Sequence, residues 1–157
     1  MKAKLTHAPT VEEVTPEHFH ATFFWARAIS KDVRRRTTKL TLDDYKRSFK
    51  CYMVVGYSAG FAINTATSEL CSMFNVNSVS LGHFMVAEAV KLGAKRLNCL
   101  DGHLVKLYSD HGFVVTCAVE HNRSRPDRPL PLVVYMVHKD TPMGRSITHA
   151  ETCLAQA

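Results

Sequence analysis

From Cys51 onward the chain changes character, and that change constrains the fold more than any other feature. Short apolar, β-branched runs alternate there with glycine-bearing joints and amphipathic stretches. Cys51–Tyr57, Phe61–Ala66 and Glu69–Val76 read as three successive strands, with Ser58-Ala59-Gly60 as the first turn. Leu81–Leu92 places Leu81, Met85, Ala89 and Leu92 on one helical face and ends at Gly93. Arg96–Leu100 reads as a strand and His103–His111 as a short helix closed by Gly112. Phe113–Val119 and Leu132–His138 read as strands around an Arg/Pro-rich loop, His121–Pro131.

The first fifty residues add a short strand at Val11–Val14 and two helices. Thr15-Pro16-Glu17-His18 supplies an N-cap, a proline at the first helical position and an acid in the first turn. Phe19, Phe23, Ala26 and Ile29 follow on one face, and Phe24 and Trp25 broaden it as further core. Thr41-Leu42-Asp43-Asp44 starts a second helix with Tyr45 and Phe49 as its buried anchors. The order is one strand, two helices, three strands, helix, strand, helix, two strands. It predicts an α/β fold with one mixed central sheet flanked by helices. The segments 51–66 and 113–138 are expected to be antiparallel hairpins, and the step from 69–76 to 96–100 a parallel crossover. A length of 157 residues suits one domain, assigned to 1–139, with 140–157 as a weakly periodic tail.

Composition narrows the function classes. With 46% hydrophobic and 22% charged residues, the chain is neither disordered nor fibrous. No apolar run reaches the ~18–20 residues that span a bilayer, and Met1–Pro9 lacks the apolar core of a secretory signal. The five cysteines (51, 71, 99, 117, 153) show no zinc-site spacing and read as reduced structural thiols of a cytoplasmic protein. Cys71 and Cys99 have no sequence neighbour that would lower their pKa, so buried strand thiols are favoured over nucleophiles. Asp101, His103 and His111 match no metal motif, and no metal is expected. His83, second in its helix, reads equally as a base or as a neighbour of the cap.

The net charge of +6 is concentrated. Residues 31–50 hold eight Lys/Arg against three Asp, and 123–128 hold three Arg against one Asp. Arg34, Arg35, Arg36, Lys39, Arg123 and Arg125 are therefore candidate phosphate or nucleic-acid contacts. A solvated basic helix face explains the same residues without a ligand.

Two local patterns carry chemistry. Asn77-Ser78-Val79-Ser80-Leu81-Gly82 places small residues at a helix N-terminus, where free amides and the helix dipole suit a pyrophosphate. Ordinary helix capping accounts for the serines equally well. Leu107-Tyr108-Ser109-Asp110-His111-Gly112-Phe113 puts a phenol at the end of a short helix entering a strand. Such a phenol can protonate a leaving group, or simply pack with its hydroxyl in water.

In this order, the patterns resemble the GNAT superfamily of N-acetyltransferases across most of residues 10–139. The segment 77–82 stands in the register of that family's Q/R-x-x-G-x-G/A loop, with Asn for Gln/Arg, Ser for the first Gly, and Gly82 kept. Leu107-Tyr108 and Gly112-Phe113 match its LY-x-x-x-GF pattern, with Asp101 where Asn is usual. The resemblance implies an acyl-CoA-dependent N-acyltransferase using acetyl-CoA as co-substrate, by direct attack of an amine in a ternary complex. It implies that the strand 69–76 pairs with the pantetheine arm through Cys71, Met73 and Phe74. Asn77, Ser78, Ser80, Gly82 and Asp101 would serve the rest of the cofactor. Tyr108 would protonate the thiolate and Glu69 would take the amine proton. An anionic or nucleic-acid-linked acceptor fits the basic segments, and a homodimer is the family-level expectation. A second reading is a catalytically inactive scaffold binding nucleic acid or an acidic protein through 31–50 and 123–128.

Overall fold

The computed structural model describes residues 7–100, 102–120 and 132–155. They form two compact units, one running through Ala94 and the other starting at Lys95.

The first unit is a four-stranded antiparallel meander. Its strands are β1 (Val11–Val14), β2 (Phe49–Val54), β3 (Ala59–Asn64) and β4 (Leu70–Asn75), in that spatial order. Helix α1 (Pro16–Ile29) packs on β2 and β4. Thr15 caps it, its hydroxyl accepting from the His18 amide at 3.2 Å. Helices α2 (Lys31–Arg36) and α3 (Leu42–Ser48) follow, both packed on α1. A reciprocal capping box starts α3: the Asp44 amide donates to the Thr41 hydroxyl at 3.1 Å, and the Thr41 amide donates to the Asp44 carboxylate at 2.8 Å. Helix α4 (Gly82–Lys91) packs on β3.

The core of this unit is aromatic. Phe19 meets Tyr45 edge-on at 5.3 Å and Phe74 at 5.8 Å, while Phe23 meets Phe74 at 5.4 Å. Phe19 and Tyr45 are fully buried. Each such ring contributes on the order of 1.5–3 kcal/mol by leaving water. Cys51, Met53, Ala62 and Phe74 carry the strand side of the same cluster.

The expected positions of Phe24, Trp25 and Ile29 are corrected. These side chains are 56%, 47% and 56% exposed. At 100° per residue, Phe24 and Trp25 point well away from the stripe of Phe19, Phe23 and Ala26. Ile29 is the last residue of the helix. The turn is also displaced. The first hairpin turns over 55–58, where the Tyr57 amide donates to the Val54 carbonyl. Gly60 lies inside β3, where a Cβ would collide with the Tyr52 carbonyl oxygen and the Met53 sulfur, so only glycine fits.

The second unit holds a three-stranded antiparallel sheet in the order β5 (Arg96–Leu100), β7 (Leu132–His138), β6 (Phe113–Glu120). Helix α5 (His103–Ser109) packs on β5 and β6. Gly112 follows it at φ +89°, in the region that favours glycine. The expected tail is a helix, α6 (Pro142–Ala155), packed on β6 and β7. A Cβ on Gly144 would stand 2.1 Å from the His138 carbonyl oxygen, so a glycine rather than an apolar side chain makes the contact.

Every ladder among the described residues is antiparallel, so the expected parallel pairing of 69–76 with 96–100 is not one of them. The β4 ladder instead shifts register between Gly60 and Ala62. Bulged strands bend and twist more than regular ones.

Gly60→Ala should destabilise the protein by about 1–3 kcal/mol through overpacking. Trp25→Ser should stay within about 0.5 kcal/mol, as exposed substitutions do. Thermal unfolding of the two variants checks this, and equal losses would contradict the assignment of the core.

Candidate functional site

The geometry of β4 follows from its register. The Asn64 amide donates to the Glu69 carbonyl, and the Val76 amide donates to the Ser58 carbonyl. Antiparallel ladders alternate hydrogen-bonded and non-hydrogen-bonded pairs. Counting inward from both ends makes Ala62–Cys71 and Gly60–Phe74 hydrogen-bonded pairs. One residue of β3, Phe61, then stands opposite two of β4, Ser72 and Met73. This is a β-bulge. Ser72 carries it at φ +56°. The alternation turns the amides of Leu70, Ser72 and Asn75 away from β3. That side is the edge of the sheet, since β4 is its last strand.

The bulge is tied to α3. The Tyr45 phenol and the Ser72 hydroxyl lie 2.7 Å apart. Burial pushes the Tyr45 phenol up to about 12, although the bond to Ser72 pulls the other way.

The loop after β4 is shaped by Asn75, a residue the sequence patterns did not single out. Its side-chain carbonyl accepts from the Asn77 amide at 2.9 Å and from the Asn77 side chain at 3.0 Å. Its side-chain amide donates to the Val79 carbonyl at 2.8 Å. An asparagine bonding the amide two residues on is a recognisable turn device, and Asn75-Val76-Asn77 carried that hint. The Ser58 amide donates to the Asn77 side-chain carbonyl at 3.5 Å, which anchors the loop to the first hairpin.

Neither serine caps α4. The cap residue is Leu81, whose apolar side chain is buried, and no side-chain hydrogen bond closes the helix end. The first turn carries no acidic residue. Ser78 and Ser80 are exposed beside it, and Gly82 is the first helical residue. The capping explanation for these serines is therefore removed, and the end of α4 keeps its anion-attracting polarity.

Cys71, Met73 and Phe74 lie on β4, Phe74 buried and the other two half-buried. Glu69 stands just before the strand, half-buried, and its carboxylate accepts from the Cys71 thiol at 3.7 Å. Burial first, and the Glu69 carboxylate second, push the Cys71 thiol up to about 12. Burial does the same for Cys51. Neither is a thiolate at neutral pH, so neither is an activated nucleophile. Cys99 is buried and Cys117 exposed.

Tyr108 lies in the second unit, at the end of α5. It is buried and meets Phe113 edge-on at 6.1 Å. The basic candidates of the first unit are exposed, and Arg34, Arg36 and Lys39 have partners within the unit. Arg36 pairs with Asp32 at 3.1 Å, and Arg34 donates to the Arg27 carbonyl at 3.1 Å. The Lys39 ammonium sits 6.0 Å from the centre of the Phe24 ring, and Arg35 is exposed. Asp101, Arg123 and Arg125 lie outside the described residues. Among the described residues no three His, Cys, Asp or Glu side chains converge as a metal site, and no helix is long and apolar enough to cross a membrane.

The sequence matches no protein-family model and no curated protein. The structure does have solved counterparts. One, assigned as a phosphinothricin N-acetyltransferase, superposes with a TM-score of 0.58 at 15% identity, covering 85% of this chain and all of its own. The chain has the GNAT fold. An acetyltransferase of the GNAT family from Streptococcus pneumoniae aligns at 16% identity with a TM-score of 0.48, over 82% of this chain and 97% of its own. In this GNAT-fold chain the bulged edge strand and the uncapped α4 belong to one compact unit.

The raised thiols have a consequence for stability. Unfolded, Cys51 and Cys71 release their protons near the ordinary 9.0, whereas the folded chain holds them to about 12. The unfolded state therefore gains as pH rises from about 9 toward 12. The melting temperature should fall through that window, and less steeply in Cys71→Ala. At pH 8, iodoacetamide should modify Cys117 well before Cys51 or Cys71, as read by mass spectrometry. Equal rates would contradict the burial assigned to the two thiols.

Proposed function

We propose that the protein is an acyl-CoA-dependent N-acyltransferase, with acetyl-CoA as co-substrate and an amine as acceptor. The carrying observation is the bulged edge strand β4 running, through the Asn75-tied loop, into the uncapped end of α4. An acyl-CoA needs both parts. Its pantetheine arm is an extended chain of two amides, which a strand edge can pair. Its pyrophosphate is a dianion, which a helix N-terminus attracts.

In this reading the arm lies along β4 at Cys71–Phe74, and the pyrophosphate lies at Asn77, Ser78, Ser80 and Gly82. An outward amide of the bulge donates to the thioester carbonyl oxygen and stabilises the charge that develops there. Glu69 takes the proton from the attacking amine, directly or through water. The amine nitrogen bonds to the carbonyl carbon, and the carbon–sulfur bond breaks. Tyr108, placed in this role by its Leu-Tyr-x-x-x-Gly-Phe pattern, protonates the departing thiolate. No enzyme thiol takes part, in keeping with the protonated Cys71. The exposed arginines of α2 suit an acceptor that is anionic or linked to nucleic acid.

Thermal unfolding tests the reading. Acetyl-CoA at ~100 times its dissociation constant adds about 2.7 kcal/mol, which raises the midpoint of a domain this size by several degrees. Ser80→Asp separates the two charge effects at this site. The new carboxylate complements the α4 dipole, so the free protein should melt at the same temperature or slightly higher. It also repels the pyrophosphate, so the acetyl-CoA shift should vanish. A full shift retained in Ser80→Asp would move the pyrophosphate elsewhere, and no shift in the unsubstituted protein would end the acyl-CoA reading.

Tyr108→Phe should keep the acetyl-CoA shift and lower turnover by about 10²-fold. Release of CoA thiol with a panel of primary amines reads this out. Unchanged turnover would remove Tyr108 from the mechanism.

A further inference from the structure

We infer that Tyr45 is a positioning residue: from α3, its hydroxyl holds Ser72 and thereby fixes the β4 bulge that presents an amide to the thioester. The inference rests on the acyl-transfer reading and names the residue on which that reading's carbonyl contact depends.

Three observations carry it. Ser72 adopts φ +56°, a conformation that glycine takes without steric cost and other residues rarely enter. The backbone alone therefore favours glycine here. Serine brings a hydroxyl, and that hydroxyl meets the Tyr45 phenol at 2.7 Å. The bond spans from a helix to a strand 27 residues later.

The Tyr45 side chain is fully buried, with its ring against Phe19, His20 and Phe49. Phenylalanine would fill that volume equally well. The phenol oxygen is thus spent on Ser72 rather than on packing. Tyr45 is also held from both ends. The Thr41–Asp44 capping box starts its helix, and Phe49 leads directly from the end of that helix into β2. A rigid phenol bonded to the bulge residue restrains the Ser72 side chain, and through it the φ +56° backbone that carries it. Placement of an oxyanion donor is sensitive at this scale, since misplacement by ~1 Å can cost about 10²-fold in rate.

Infrared spectroscopy of acetyl-CoA labelled with carbon-13 at the thioester carbonyl tests the inference. Binding to the unsubstituted protein should lower the carbonyl stretching frequency, as hydrogen bonding to that oxygen does. Tyr45→Phe should bind acetyl-CoA within about threefold of the same affinity, since the pyrophosphate contacts are untouched. Its carbonyl band should return at least halfway to the solution position. Ser72→Ala loses the same hydrogen bond from the other side and should give the same band. It also carries the test if Tyr45→Phe does not fold. The double variant should match either single variant, because one interaction has been removed twice.

A purely structural Tyr45 would lower the melting temperature and leave the band where it is. That result, or additive band shifts in the double variant, would overturn the inference while leaving the acyl-transfer reading intact. Absence of any acetyl-CoA binding to the unsubstituted protein would overturn both.

Discussion

The first unit depends on one aromatic cluster. Phe19 and Phe23 from α1, Tyr45 from α3 and Phe74 from β4 meet at ring separations of 5.3–5.8 Å. Aromatic pairs at such distances add about 0.5–1.5 kcal/mol beyond the area they bury. Their larger consequence is geometric. The last strand of a sheet has a neighbour on one side only, so its position must be fixed from its face. Phe74 does this by packing beneath α1. Two residues earlier Ser72 does it by a hydrogen bond to the single phenol in the cluster. The bulge thus sits where apolar packing, through Phe74, and a polar contact, through Ser72, both hold β4.

Helix α4 meets the sheet from β3 and contributes a different property. Its buried face is Leu81, Met85, Val86 and Ala89. Because Leu81 occupies the cap position, its side chain serves the core and cannot accept from the first-turn amides. Packing and capping compete for one residue, and packing wins. The cost to the helix is about 1 kcal/mol of capping, and the result is an end that still attracts anions. The surroundings of Cys71 likewise decide its chemistry. Its sulfur is half-enclosed and donates toward the Glu69 carboxylate. Both surroundings disfavour a thiolate, in keeping with the direct transfer proposed above.

Much of this was legible in the residues. The Thr-Pro-Glu start of α1, the Thr41–Asp44 start of α3 and the strands at Arg96–Leu100 and Leu132–His138 follow from local rules of capping and β-propensity. The loop after β4 and the LY-x-x-x-GF segment were visible as patterns. What was not legible depends on tertiary contact. Apolar character alone does not say which side of α1 meets a sheet, so Phe24, Trp25 and Ile29 read as core. Gly60 and Gly144 look like turn or tail residues, yet each marks a close backbone approach. The bulge is invisible in Cys71-Ser72-Met73-Phe74, because nothing there but its register against β3 reveals the extra residue. Tyr45 read as an anchor, correctly, but its hydroxyl's partner lies 27 residues away.

In the proposed function, acetyl-CoA lies along β4 and at the end of α4. Amide hydrogen exchange with and without acetyl-CoA measures this most directly, peptide by peptide. Within the first unit, exchange should slow across residues 70–84 and stay unchanged across α2 and α3. Unchanged exchange across 70–84 under saturating acetyl-CoA, or slowing confined to the basic helix α2, would contradict it.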